Sequence, residues 1–336
     1  MRIQRILLSA LATLCLMAAG SHHRVIRSIP VGGEGGWDYI TFDPAASRLF
    51  VAHATRVHVV DPESGQVIGE IPDTPGVHGI ALVPEAGKGF ISNGKADNVT
   101  VFDLKTLGTL GHVATGKKPD AIVYDAAARR VLVSDGDSDD LTVIDPFQSR
   151  PVGTIALGGA PEFITGDGKG TVWVNLEDKN ETLMIDPANL AVKKRFPLPG
   201  CDGPSSLAMD RETRRLFIGC ANRVLTVLDA DAGKVVAQLP IGEHVDATVF
   251  DPERRLVFSS NGDGTITVLH EEAAGKFSVV ETIATARGAK TMAIDLKSKR
   301  LYLPTAEGLP PSATGPPRPN GPQFPMGQFV VLVVGI

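Results

Sequence analysis

A segment of about 42 residues recurs along this chain, and that period restricts the fold more than any other property of the sequence. One landmark is a turn that stands as FDPAASRLF from Phe42, YDAAARRVL from Tyr124, MDRETRRLF from Met209, FDPERRLVF from Phe250 and IDLKSKRLY from Ile294. Weaker copies are VPEAGKGF from Val83 and GDGKGTVW from Gly166. The acidic residue of the turn is Asp43, Asp125, Asp167, Asp210, Asp251 or Asp295, with Val83 in the second copy. A second landmark is the Asp that closes VHVVD, VTVFD, LTVID, LMID and LTVLD, at Asp61, Asp103, Asp145, Asp186 and Asp229. His270 replaces it in the sixth copy. Seven copies follow.

Within each copy, short runs rich in Val, Ile, Leu and Phe alternate with Asp-Pro, Asp-Gly, Asn-Gly or Ser-Gly turns, which is the pattern of strands joined by hairpins. The Asp at each turn has a local reason, because its carboxylate can accept backbone N–H groups two or three residues on. Four strands per copy and seven copies predict an all-β, seven-bladed β-propeller of four-stranded antiparallel blades. The seventh copy is interrupted after LYLPTAEG and resumes with FVVLVVGI, Phe329 to Ile336, as its third strand. The segment RVIRSIPVGG, Arg24 to Gly33, matches the fourth strand of the other copies, so it is expected to complete the last blade and close the ring.

The repeat resembles the YVTN-type, YncE-like seven-bladed propellers of exported bacterial proteins. The likeness covers Arg24 to Ile336 and rests on RLFVAHATRVHVVDPESGQVIGEIP, RRLFIGCANRVLTVLDADAGKVVAQLPIG and RRLVFSSNGDGTITVLHE, with the naming tetrad degenerate. The resemblance implies a propeller fold and an exported protein. It implies no particular reaction, because related propellers serve as binding scaffolds or as parts of electron-transfer enzymes.

Residues 1–20 read as a secretory signal peptide: Arg2 and Arg5, an apolar run from Ile6 to Ala19, and Ala18 and Gly20 before the cleavage point. Residues 21–336 then form one domain, in the periplasm or secreted, with no integral membrane segment. Without Arg2 and Arg5 the formal charge of −5 becomes more negative, and no basic run of five residues occurs. Nucleic acid is therefore not an expected partner, since phosphate-backbone binding needs a positive face. Cys201 and Cys220 remain after processing and fall in neighbouring strands on one face, where an oxidising compartment favours a disulfide; a free buried pair is the alternative.

Aligning the copies places Asp38, His78, Asp120, Glu162, Ser205, Asp246 and Lys290 at one equivalent position before each innermost strand. His53, Asn93, Asp135, Leu176, Cys220, Asn261 and Thr305 end the second strands on the same face, and His244 precedes Asp246. A set of Asp38, His53, His78, Asp120, Asp135, Glu162, His244, Asp246 and Lys290 around the channel mouth would suit a small polar ligand, a metal or a partner protein. Asp38, His53 and His78 have the ligand types for a divalent metal. For each position the alternative is a polar residue that caps a strand end.

The expected role is binding at this mouth. A metal-dependent lyase or hydrolase is the competing reading, with His53 or His78 as ligand or general base and Lys290 stabilising negative charge. A cell-surface structural protein is a third. No CxxCH is present for haem, and GHVATGKK, Gly111 to Lys118, lacks the Ser or Thr and the helix of a nucleotide-binding loop. DGDSDD, Asp135 to Asp140, lacks the later ligands of a calcium loop and reads as a hairpin. Cleavage after Gly20 would place His23 third in a copper- or nickel-chelating amino terminus. The proline-dense stretch within 305–328, with seven prolines between Pro310 and Pro325, is expected over the channel mouth, either as a lid carrying Arg318 and Phe324 or as a tolerated surface insertion.

Overall fold

The computed structural model describes residues 22–273, 275–307 and 328–336. The signal segment and most of the proline-dense stretch, with Arg318 and Phe324, lie outside the described residues. Seven four-stranded antiparallel sheets make the seven blades expected from the repeat. The only helical element among the described residues is one short 3-10 turn, Pro84–Ala86. Innermost strands are Trp37–Asp43, Val77–Val83, Pro119–Asp125, Pro161–Gly166, Pro204–Asp210, Val245–Asp251 and Ala293–Asp295, in blades one to seven.

Burial explains why the hydrophobic pattern changes along each copy. The second and third strands are enclosed on both faces by neighbouring blades, so they read as continuous apolar runs such as Phe329–Gly335, buried throughout. Outermost strands such as Lys234–Pro240 cover the core with one face only and alternate. The apolar side chains pack between blades rather than within them: Phe50, Val59 and Ile71 of blade one meet Ile80, Ile91 and Phe102 of blade two. Each such fully buried side chain contributes roughly 1.5–3 kcal/mol.

The landmark carboxylates act as expected. Asp43 accepts the backbone N–H groups of Ala45 and Ala46 at 3.1 and 3.3 Å, and Asp251 those of Glu253 and Arg254. They also join blades, for Asp167 of blade four takes Arg214 of blade five at 2.9 Å.

The last blade is built from both ends of the chain. Its order is Arg24–Pro30, Phe329–Gly335, Arg300–Ala306, Ala293–Asp295, with Arg24 opposite Gly335 and Pro30 opposite Val330. The seam with blade one is packed like any other, with Ile29, Tyr302, Phe329 and Val331 against Ile40, Leu49 and Val51. The proline-dense stretch leaves after Ala306 and returns at Phe329, which pair directly, so its ends stand on the mouth face.

Cys201 and Cys220 form the disulfide, with Cα atoms 5.4 Å apart and both residues buried. Closing a loop of this length stabilises by about 3 kcal/mol in the chain-entropy account. His270 lies inside the long strand Thr265–Ala273 rather than at a turn, because the outer hairpin of blade six extends to Lys276–Ala284.

Candidate metal and ligand site at the channel mouth

In blades one to six the inner strand carries a bulge at the equivalent position. In blades one to four, three steps of the inner strand oppose two of the second: Trp37 pairs His53 while Ile40 pairs Val51, and the same shift recurs after Val77, Pro119 and Pro161. Blades five and six shift after Pro204 and Val245. The residue immediately after each shift begins is Asp38, His78, Asp120, Glu162, Ser205 or Asp246. An extra residue in one strand re-aims a side chain that would otherwise follow the pleat, and here the bulges fall at these six residues, with the Ser205 hydroxyl donating to the Val245 carbonyl at 2.8 Å.

Two sets of hydrogen bonds fix these bulges. The amide following each second strand donates to the carbonyl two residues before the ring residue, as Ala54 to Gly36 and Gly94 to Gly76 at 2.8 Å, and Gly136 to Lys118 at 3.0 Å. A polar side chain of one blade then donates to the ring carbonyl of the next: Ser92 to Asp120 and Ser260 to Lys290 at 2.5 Å, and Thr291 to Asp38 at 2.6 Å. Lys290 itself arrives on a loop, because the innermost strand of blade seven is short.

Three of the ring residues form one cluster. His78 Nδ1 lies 2.5 Å from Asp38 Oδ2 and 3.6 Å from Asp120 Oδ1, and one ligand atom from each residue falls within 4.8 Å of the others. Burial pulls the His78 imidazole down, but the Asp38 hydrogen bond and the charges of Asp120 and Asp38 outweigh it and leave its pKa raised. Burial pushes Asp120 up to about 6, with Asp38 and Asp246 adding to the rise and His78 opposing it. Glu162 is held well above the usual carboxylate range by burial and by Asp120, Asp246 and Glu177. Across the ring Lys290 is paired with Asp246. Burial lowers the Lys290 ammonium pKa, yet Asp246 and Asp38 more than offset it, so it stays charged.

Three expected site residues, His53, Asp135 and His244, lie outside the ring itself. His53 is 2% exposed and turned between blades one and seven, its ring stacked on Phe329 at 3.9 Å and its Nδ1 3.2 Å from His58 Nε2. Burial, then the neighbouring His58 and Arg56, lower its pKa to about 4. Of the expected metal set Asp38, His53 and His78, the structure brings Asp38 and His78 together with Asp120, and His53 stands apart from them. The second strand stands one strand spacing away from the axis, so its last residue cannot reach the ring.

Asp135 is fully buried for the same reason, with Oδ2 accepting Thr142 at 2.6 Å and Asp140 opposite it across the hairpin. His244 is exposed, in a left-handed backbone conformation with φ 58°, and is absent from the cluster of possible ligands. Ser21, the first residue of the expected chelating amino terminus, lies outside the described residues; His23 bonds Glu281 through its backbone N–H at 2.8 Å and its Nδ1 at 2.7 Å.

Sequence reasoning missed Tyr39 and Glu177. Tyr39 follows Asp38 and lies against Phe163, which follows Glu162, with ring centroids 5.5 Å apart. Burial and the carboxylates of Asp120, Glu162, Asp38 and Asp246 hold the Tyr39 hydroxyl pKa well above its usual value. The signal was legible: two aromatics occupy one repeat position where other copies carry Gly79, Ala121, Ser206, Ala247 and Thr291. Beside the cluster, a cleft of about 690 Å³ runs over blades one to three, lined by Gly36, Asp38, Gly76, His78, Lys95 and Lys118 among others.

Comparison with known proteins bears on the fold. No protein-family model matches the chain, and no curated protein sequence matches it. Among solved structures it is similar to Kuenenia stuttgartiensis hydrazine synthase, at 17% identity over 85% of this chain and 95% of that one, with a TM-score of 0.71. It is also similar to U3-55K, at 10% identity over 92% of this chain and 98% of that one, with a TM-score of 0.76. At such identities the likeness establishes a shared propeller fold and nothing about chemistry.

Proposed function

We propose that this chain is an exported, YncE-like propeller whose channel mouth binds a divalent metal ion through Asp38, His78 and Asp120. The observation that carries this reading is their convergence from three separate blades, each held by a bulge and by backbone hydrogen bonds. Imidazole with two carboxylates suits Zn, Mn, Ni or Cu. Donor atoms in a tetrahedral zinc site lie about 3.4 Å apart, close to the 3.6 Å between His78 and Asp120, while the 2.5 Å contact of His78 with Asp38 would open on binding. Binding is favoured over lyase or hydrolase chemistry because Lys290, the group expected to stabilise negative charge, is already engaged by Asp246. The disulfide supports an oxidising compartment. Among the described residues no helix is long and apolar enough to cross a membrane.

The test is elemental analysis of protein purified without chelator or affinity metal, followed by titration with Zn, Mn, Ni and Cu salts. Close to one equivalent is expected, lost in His78→Ala and Asp120→Ala and retained in His53→Ala. Uptake should weaken as pH falls through the titration of His78, since the proton and the metal compete for one nitrogen. Protein that takes up none of the four metals would refute the reading.

A further inference from the structure

We propose that the cleft over blades one to three binds a small organic anion together with the metal, its carboxylate or phosphate oxygens facing Lys118 and Lys95. This rests on the metal reading above. Three protein ligands leave at least one coordination position open in a tetrahedral site, and the cleft begins at Asp38 and His78, two of those ligands. Its volume of about 690 Å³ is that of a small-molecule site.

The charge on its walls is divided. Asp38 and His78 line it beside the cluster, and Lys95, Lys117 and Lys118 line it together with Asp97 and Asp137. Lys117 is paired to Asp97 at 2.6 Å. Lys118 is only loosely placed against Asp137, at 3.8 Å, and Lys95 has no acidic partner among the described residues. Two ammonium groups are thus available to an incoming anion, and the charge of Lys118 already acts on both His78 and Asp120.

Lys118 lies in the left-handed region, with φ 53°, as do Gly76, Gly203 and Gly288 at the equivalent places of blades two, five and seven and His244 in blade six. A side chain in that region is strained, so replacing Lys118 with glycine removes its ammonium group without a backbone cost. Bare glycines leave room beside the lining side chains: a Cβ on Gly94 would stand 2.6 Å from His78 Nε2, and one on Gly76 2.7 Å from Lys95 Cγ.

The experiment uses the full mature chain, loaded with whichever metal it takes up, and titrates it with lactate and with glycerol phosphate as weakly chelating probes. One of the two is expected to bind, which decides between carboxylate and phosphate. The Lys95→Ala/Lys118→Gly double variant should bind it about tenfold more weakly while keeping its metal. Lys118→Gly alone should melt no lower than the parent, which separates a lost ligand contact from a damaged fold. Metal uptake with neither anion bound, or binding unchanged in the double variant, would overturn the inference and leave the metal reading standing. A chain that takes up no metal would remove both.

Discussion

Asp135 shows how one side chain can depart from what its repeat position favours. The same place holds Asn93 in blade two and Asn261 in blade six, where the amide donates to Thr100 at 2.8 Å and to Thr267 at 3.2 Å. In blade three the position is a carboxyl opposite Asp140, and one oxygen of each acid is buried without a hydrogen-bond partner. Burial first, with the Asp140 charge adding, raises the Asp135 pKa to about 7. The native state therefore holds a proton that the unfolded chain releases near pH 4, and stability falls as pH rises from about 4 to about 7. Asp135→Asn supplies a donor to Asp140 and should remove much of that fall. The expected gain at pH 8 is about 1–3 kcal/mol, measured by denaturant unfolding at pH 5 and pH 8; an equal effect at both would contradict the account.

The element that matters for the site is the bulged inner strand, and its supports lie in the neighbouring blade. Ser92 is fully buried, accepts the Gly79 N–H at 2.8 Å and donates to the Asp120 carbonyl at 2.5 Å. It thereby ties the bulge of blade two to that of blade three. Ser92→Ala leaves a buried N–H and a buried C=O short of a partner, which costs about 1–3 kcal/mol. Asp120 should also lose its fixed position, so metal uptake should weaken although Ser92 touches no metal. A destabilised variant with unchanged metal affinity would show that the tie serves stability alone. The bulges could not be read from the sequence, because one extra residue before an apolar run looks the same as a longer loop.

At the scale of the whole molecule, the ring depends on the strand Arg24–Pro30. Without it the fully buried strand Phe329–Gly335 becomes an open, apolar edge, the kind that pairs with other chains. Deleting residues 22–30 is therefore expected to convert a monodisperse protein into aggregates, seen by light scattering. A soluble truncated chain with one cooperative transition would contradict the closure described here.

Blade number, strand order, ring closure, the turn carboxylates and the disulfide were all legible in the sequence, because each rests on local chemistry repeated at a fixed spacing. The turn Asp bonds its own neighbours, and buried strands must be apolar wherever they stand. Alignment of the copies also found Asp38, His78, Asp120, Glu162, Asp246 and Lys290 as one ring. Which of them meet was decided by tertiary structure alone. Side-chain direction at the mouth depends on the bulges and on distance from the axis, so Asp120 joined His78 while His53, of the right residue type, turned into the seam against Phe329. The repeat dictates where a residue lies along a blade; only packing between blades dictates what its side chain can reach.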